Sequence, residues 1–491
     1  MDILSVLTRG GHWIITKTIK CLKEFTALNY SRPYNVYNEI KQILFLTFFL
    51  SIDFLSWYLN NIQQEYYIDE AFHIPQTIQY CAWNFTEWDP KITTLPGLYL
   101  ITGVIICPLQ LFHRISYIRK MHAYGAFLTF YLLFKIIKKN WKSQTDWWNK
   151  WSIIGLTYNL ILFPPLYFYF FFYYTDVTSV NMVLLMFYLH QCKHTMMTAF
   201  AGLLAVLVRQ TNIVWLGFFT IEHALDIFDK RINEPSEKLC TSLHFLLIWR
   251  QLMSELRKGP LSFVKFVAQI CDNLLPYLTV CVMFVAFVIW NGGIVVGDRS
   301  AHVATIHVCQ IFYFSAFVSL FSWPYVIPHW QTCLRFLRQH WIFASGAIAL
   351  MAMTICFNTL VHPYILADNR HYSFYVWNRY MGRYAVFKYL LIPIYCASLF
   401  AMSRNIAHLR FLTQINYVIC VCIVLIPQLL VEPRYFILPY IFYRLNMKRP
   451  ERWQIICEAF TIIVINFLQF MIFSIKVFYW KDQPYAQRIS W

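Results

Sequence analysis

Two adjacent carboxylates and an imidazole stand close together in Tyr66-Tyr67-Ile68-Asp69-Glu70-Ala71-Phe72-His73, and a third carboxylate and an amine follow in Trp88-Asp89-Pro90-Lys91-Ile92-Thr93-Thr94-Leu95-Pro96-Gly97. Groups of these types bind a cation, orient a sugar or take a proton from a hydroxyl, although the same composition also suits an ordinary solvated loop. A second polar island runs from His362 through Asp368-Asn369-Arg370-His371-Tyr372 to Arg379. Arginine offers a phosphate a two-pronged donor fork; the alternative partners here are Asp368 or lipid headgroups. Val431-Glu432-Pro433-Arg434-Tyr435 is a smaller cluster of the same kind, and Arg209-Gln210-Thr211-Asn212 interrupts an apolar stretch, which points to a buried polar role for Arg209. Tyr173-Tyr174-Thr175-Asp176 closes another apolar run, and Gly297-Asp298-Arg299-Ser300-Ala301-His302 reads as a turn with a local ion pair.

Several chemistries lack their residues. The chain has no phosphate-cradling Walker loop, no G-x-S-x-G, no H-E-x-x-H, no dinucleotide-binding glycine fingerprint and no C-x-x-C. D-x-D, the usual metal handle of nucleotide-sugar transferases, is also missing, so neither a metal nor a cofactor is expected. The net charge of +17 comes from Lys and Arg scattered over many loops. That pattern fits positive-inside topology and anionic lipid rather than nucleic acid.

What must position these residues is a set of membrane helices. Of the 491 residues, 59% are hydrophobic and 13% charged, whereas a soluble domain carries roughly a quarter charged residues. Apolar runs recur between basic loops, leaving room for about 11–14 crossings of ~20 residues each in one multi-spanning domain, 1–491. The first long run, from Ile43 to about Leu59, follows a basic segment, 1–41, and precedes a loop, 61–94, with five acids and one Lys. The bias puts 1–41 in the cytosol and 61–94, with the sequon Asn84-Phe85-Thr86, on the far side. A second sequon, Asn29-Tyr30-Ser31, falls on the cytosolic side. Leu95–Phe112 then reads as a return crossing ending at Arg114, Arg119 and Lys120, and 121–137 as an interfacial or re-entrant piece. Further segments fall at 151–172, 178–192, 197–224, 273–290, 303–327, 341–360, 385–403, 411–431 and 454–478; 434–447 is short, and the polar stretch 225–272, with seven Lys and Arg, reads as a cytosolic loop. Most of the 14 cysteines, such as Cys107, Cys281, Cys356, Cys420 and Cys422, lie in apolar runs as small hydrophobes.

Six motifs together resemble the dolichyl-phosphate-glucose α-1,2-glucosyltransferase family of the endoplasmic reticulum: Asp69–Gln76, Trp88–Tyr99, Arg209–Asn212, Gly297–His302, Ala367–Tyr372 and Arg434–Tyr440. The resemblance implies an all-α polytopic fold of the GT-C type whose active site is built from lumenal loops. It also implies dolichyl phosphate glucose as donor and the diglucosylated, nine-mannose oligosaccharide on dolichyl diphosphate as acceptor. Members use a carboxylate of the first lumenal loop, which here holds Asp69 and Glu70. Inversion at a β-linked glucosyl phosphate needs a base opposite the leaving phosphate. Asp69 is taken as that base, with Glu70 and Asp89 as alternatives. Arg370, His371 and Arg434 are assigned to the donor phosphate, with Lys91 and Arg209 as further candidates. The polar inserts at 138–150 and 225–270 fall outside the resemblance and receive no catalytic role. A channel or transporter is the rival reading; against it, no Gly/Pro-broken segment recurs in two halves.

Overall fold

The structure, a computed structural model, describes residues 33–141, 147–232, 234–299, 304–481, 483 and 485–491. The expectations for 1–32, for the Asn29 sequon and for Ser300-Ala301-His302 lie outside these residues. The chain divides into two compact units, Met1–Ile62 and Gln63–Trp491.

In the first unit, α1 spans Pro33–Ile62. Phe45, Phe49, Phe54 and Trp57 are exposed along it, as suits a helix whose surroundings are lipid.

The second unit begins with three short helices: α2 (Glu70–Cys81), α3 (Gly97–Ile106) and α4 (Ile115–Ala123). Here the structure corrects the reading of 95–112 as a crossing. α3 has 10 residues, about 15 Å of helix against a ~30 Å hydrocarbon core. Cys107, one residue past α3, is disulfide-bonded to Cys81 at the end of α2, with Cα atoms 5.0 Å apart. The stretch therefore comes back to the acidic segment it left, and Cys107 is a cross-link rather than a small hydrophobe. Leu100, Val104, Ile105 and Leu109 are exposed along it, an apolar face for the membrane interface.

The main helices that follow are α5 (Gly125–Asn140), α6 (Trp147–Ile161), α7 (Thr175–Gln191), α8 (Thr195–Val208), α9 (Ile213–Ile232), α10 (Pro260–Asn291), α11 (Cys309–Val326), α12 (Trp341–Asn358), α13 (Ile392–Ile406), α14 (Phe411–Leu425), the short α15 (Ile437–Leu445) and α16 (Arg452–Ile475). The fold is all-α and polytopic, and six helices among the described residues are long and apolar enough to cross a membrane. Fewer reach that length than the 11–14 crossings expected, because polar residues and prolines divide the apolar runs. The run 151–172 breaks at Pro164, and 197–224 breaks at Arg209 into α8 and α9. The polar stretch 225–272 is largely helical: it holds the end of α9, the helices Ser236–Leu239 and Leu243–Arg257, and the start of α10. The one sheet among the described residues pairs β1 (Val477–Phe478) with β2 (Gln487–Arg488) in antiparallel register.

Candidate active site

The segment before α2 turns sharply. Ile68 sits at φ 46°, a left-handed conformation that costs a β-branched residue on the order of 1–2 kcal/mol. What holds it is Glu70. The Glu70 carboxylate is fully buried and accepts the Tyr67 N–H at 2.9 Å, the Tyr173 N–H at 2.7 Å and the Arg119 guanidinium at 2.5–3.1 Å. Arg119 is itself buried and also donates to the carbonyls of Gln63 and Glu65. This knot fixes the residue next to it. The Asp69 N–H donates to the Tyr174 hydroxyl at 3.1 Å, which in turn donates to the Tyr67 carbonyl at 3.1 Å.

The Asp69 carboxylate faces the other way and stays half-buried. Its Oδ2 accepts from Arg434 Nη1 at 2.8 Å, and Arg434 also pairs through Nε with Glu432. Burial pushes the Asp69 carboxyl up, but the Arg434 guanidinium and the His73 and His371 rings together outweigh it and hold the group below the usual carboxylate range. His371 and His73 both lie within electrostatic reach of Asp69. His73, one turn along α2, bonds through Nδ1 to the Tyr99 hydroxyl at 2.7 Å. Burial pulls its pKa down to about 4 against the opposing charge of Asp69, so it is neutral at pH 7. Asp89, Arg209 and Arg434 complete the charges that His73 senses.

Four of the residues expected to act are therefore gathered around Asp69 and His73: Asp89, Arg209, His371 and Arg434. Arg370 belongs to the adjoining island, where it forks onto Asp368 at 2.7–3.2 Å and lies 4.5 Å from the Trp480 ring. Burial acts to raise the Asp368 carboxyl, but hydrogen bonds from Arg370 and the nearby charges outweigh it and keep it low. Arg209 forks onto buried Asp176 and donates to the Thr175 hydroxyl at 2.9 Å. Lys91 is exposed over the Phe72 ring, 5.0 Å away. Glu70 alone of the three candidate carboxylates is closed off, turned into its knot with Arg119.

The loop carrying Asp89 is clamped from two sides. Gln210 donates to the Thr93 carbonyl at 3.0 Å, and Asp298 N–H to the Pro90 carbonyl at 2.7 Å. Gly97 lies so close to the backbone of Leu207 and Val208 that a Cβ would overlap it. Gly297, at φ +70°, would strike the carbonyls of Pro90 and Ile92 in the same way. Gln76 fixes the loop again, accepting the Asp89 N–H at 3.1 Å and donating to the Glu87 carbonyl at 2.8 Å.

The sequence reading took Arg119 for a loop cation and gave no role to residues 487–491, which reach this island. Among the described residues no group of His, Cys, Asp or Glu has the geometry to hold a metal ion.

The sequence model of the DIE2/ALG10 family matches residues 63–445, from the loop before Asp69 to the end of α15. The chain belongs to the DIE2/ALG10 family. Curated relatives of this DIE2/ALG10 member include a human protein, 33% identical over 87% of this chain and 93% of its own length. A Drosophila melanogaster protein is 34% identical over 88% and 95%, and an Arabidopsis thaliana protein 32% identical over 89% and 97%. All three are named Dol-P-Glc:Glc(2)Man(9)GlcNAc(2)-PP-Dol alpha-1,2-glucosyltransferase. No solved structure matches the chain.

Proposed function

We propose that this DIE2/ALG10 chain, acting as one multi-spanning domain in the endoplasmic reticulum membrane, transfers glucose from dolichyl phosphate glucose to the diglucosylated, nine-mannose oligosaccharide on dolichyl diphosphate. The product carries a terminal α-1,2-linked glucose, and the site faces the lumen. The acceptor 2-hydroxyl attacks the anomeric carbon on the face opposite the phosphate, the bond from that carbon to the phosphate oxygen breaks, and dolichyl phosphate leaves. Asp69 takes the hydroxyl proton.

One observation carries this reading: the 2.8 Å pair of Asp69 and Arg434, joined across 365 positions of sequence. A carboxylate bound to a guanidinium is a weak base. A donor phosphate is a better-matched partner for the same fork, so its arrival draws Arg434 off Asp69 and frees the base as the reacting carbon comes into place. His371 and Arg370 supply further positive charge on that side. Arg209 and the clamped Asp89 loop shape the wall beside it, and Lys91 serves the rim. Glu70 holds Asp69 in place and takes no proton.

Purified protein given labelled dolichyl phosphate glucose and the diglucosylated acceptor should pass label to the lipid-linked oligosaccharide, in excess chelator as well as without it. Specific flux across liposomes without transfer would support a transporter instead. A divalent metal that restores activity stoichiometrically after chelation would overturn the metal-free chemistry.

A further inference from the structure

Residues 485–491 lie outside the stretch matched by the family model, yet they run back into the charged island. After β2 the chain bridges 370–372. Ser490 N–H donates to the Arg370 carbonyl at 2.8 Å, Tyr372 N–H donates to the Ser490 carbonyl at 3.0 Å, and His371 Nδ1 lies 2.8 Å from the Trp491 main-chain oxygen. The bridge is anchored on both flanks. The Ser490 hydroxyl meets the hydroxyl of Tyr67, two residues before Asp69, at 2.5 Å. The Trp491 ring packs edge-on against Tyr372 at 5.0 Å between centres, and its Nε1 donates to Gln469. Arg488 is buried and donates to Gln63 at 3.2 Å and to the carbonyls of Phe473 and Ser474 at 2.9 and 3.0 Å. A main-chain oxygen only accepts, so the contact of the Trp491 oxygen with Nδ1 places a proton there. Nε2 is then the ring atom left to meet another group, and it stands 3.7 Å from Asp368.

We propose that Ser490 and Trp491 are positioning residues for the donor-phosphate side of the site, holding the main chain of 370–372 and the ring of His371 so that Nε2 is presented to the phosphate. The Trp491 main-chain oxygen accepts from Nδ1 and so fixes the ring angle, and the phosphate, itself an acceptor, is met by Nε2–H of the doubly protonated ring, the form that carries positive charge. Tyr67 ties this brace to the segment that carries Asp69, so one short stretch sets both sides of the site. The proposal rests on the reading of His371 as a phosphate-binding residue.

The test is steady-state transfer by the full-length, detergent-extracted protein with dolichyl phosphate glucose varied. Trp491→Ala should raise the donor KM about tenfold, with a smaller change in kcat and none in the acceptor KM. Trp491→Phe keeps the ring on Tyr372 and should recover most of the loss. Ser490→Ala, the mildest change, should raise the donor KM about threefold, and it carries the test if Trp491→Ala is not recovered folded. Because the contacts of Trp491 with the island fall on His371 and Tyr372, while those to Arg370 and Tyr67 belong to Ser490, Trp491→Ala placed in a His371→Ala background should add nothing. Wild-type donor KM in both tail variants, or effects that multiply in the double variant, would overturn the proposal alone. Wild-type donor KM in His371→Ala would overturn the phosphate-site reading and the proposal with it.

Discussion

Asp69 and Glu70 are neighbours in sequence, and each binds an arginine far along the chain, but the two pairs are built differently. Glu70 and Arg119 are 0% and 1% exposed, with every carboxylate lone-pair direction met by protein donors. Asp69 and Arg434 are 29% and 20% exposed, and Arg434 divides itself between two carboxylates. The buried pair Arg444 and Glu458, 1% and 0% exposed and supported by Tyr325 and Asn159, repeats the closed design. A closed pair has no room to change partners, and breaking one leaves a buried charge without compensation. An open pair can exchange a carboxylate for an incoming phosphate at modest cost. On the proposed function, the closed pairs serve the fold and the open pair of Asp69 and Arg434 serves the reaction.

The largest effect should come from opening the knot. Glu70→Ala leaves Arg119 charged and unpaired in the interior and should cost about 3–5 kcal/mol of stability, seen as loss of folded protein on extraction. Folded, active Glu70→Ala would break the distinction between the two pairs. The next effect sharpens the open side through pH. His73 has its folded-state pKa near 4, below an ordinary value of 6.5. Between those values the unfolded chain binds a proton that the folded chain refuses, so stability is full above about pH 6.5 and falls as pH drops toward 4. The complete window is worth on the order of 3 kcal/mol. Thermal unfolding from pH 7 to pH 4 should show that slope in wild type and a shallower one in His73→Gln; identical slopes would contradict the assignment. Asp69 adds its own loss at more acid pH, since its stabilised charge disappears only below the ordinary carboxylate range. The smallest effect belongs to Arg370, whose open fork on Asp368 is read as donor-binding. Arg370→Ala should weaken donor affinity by on the order of 1.5–3 kcal/mol with folding kept, and an unchanged affinity in equilibrium binding would remove it from the phosphate site.

Much of the candidate site was legible because its parts are polar residues inside apolar sequence. Asp69, Asp89, Arg209, Arg370 and Arg434 all drew attention as charges at membrane borders, and the structure gathers most of them in one place. Less could be read where a side chain's meaning depends on a distant partner. Arg119 sits among Arg114 and Lys120 and looks like any loop cation, since nothing local announces that Glu70 buries it. Cys107 lies in an apolar run, and only the reversal of 95–112 brings it to Cys81. Breaks inside apolar runs were also hard to read, because hydropathy joins segments that Pro164 and Arg209 separate. Residues 487–491 have no distinctive composition; their contacts with His371 and Tyr67 exist only once the chain has returned.

The central claim is that Asp69, not its neighbour, takes the acceptor's proton. Asp69→Asn keeps the size and one acceptor oxygen but has no basic lone pair of comparable strength. Single-turnover transfer by the folded, detergent-extracted variant, with donor and acceptor both saturating, isolates that step. A rate lower by ~10²-fold or more with donor binding retained is the predicted result; a rate near that of the wild type would contradict it and move the role to Asp89.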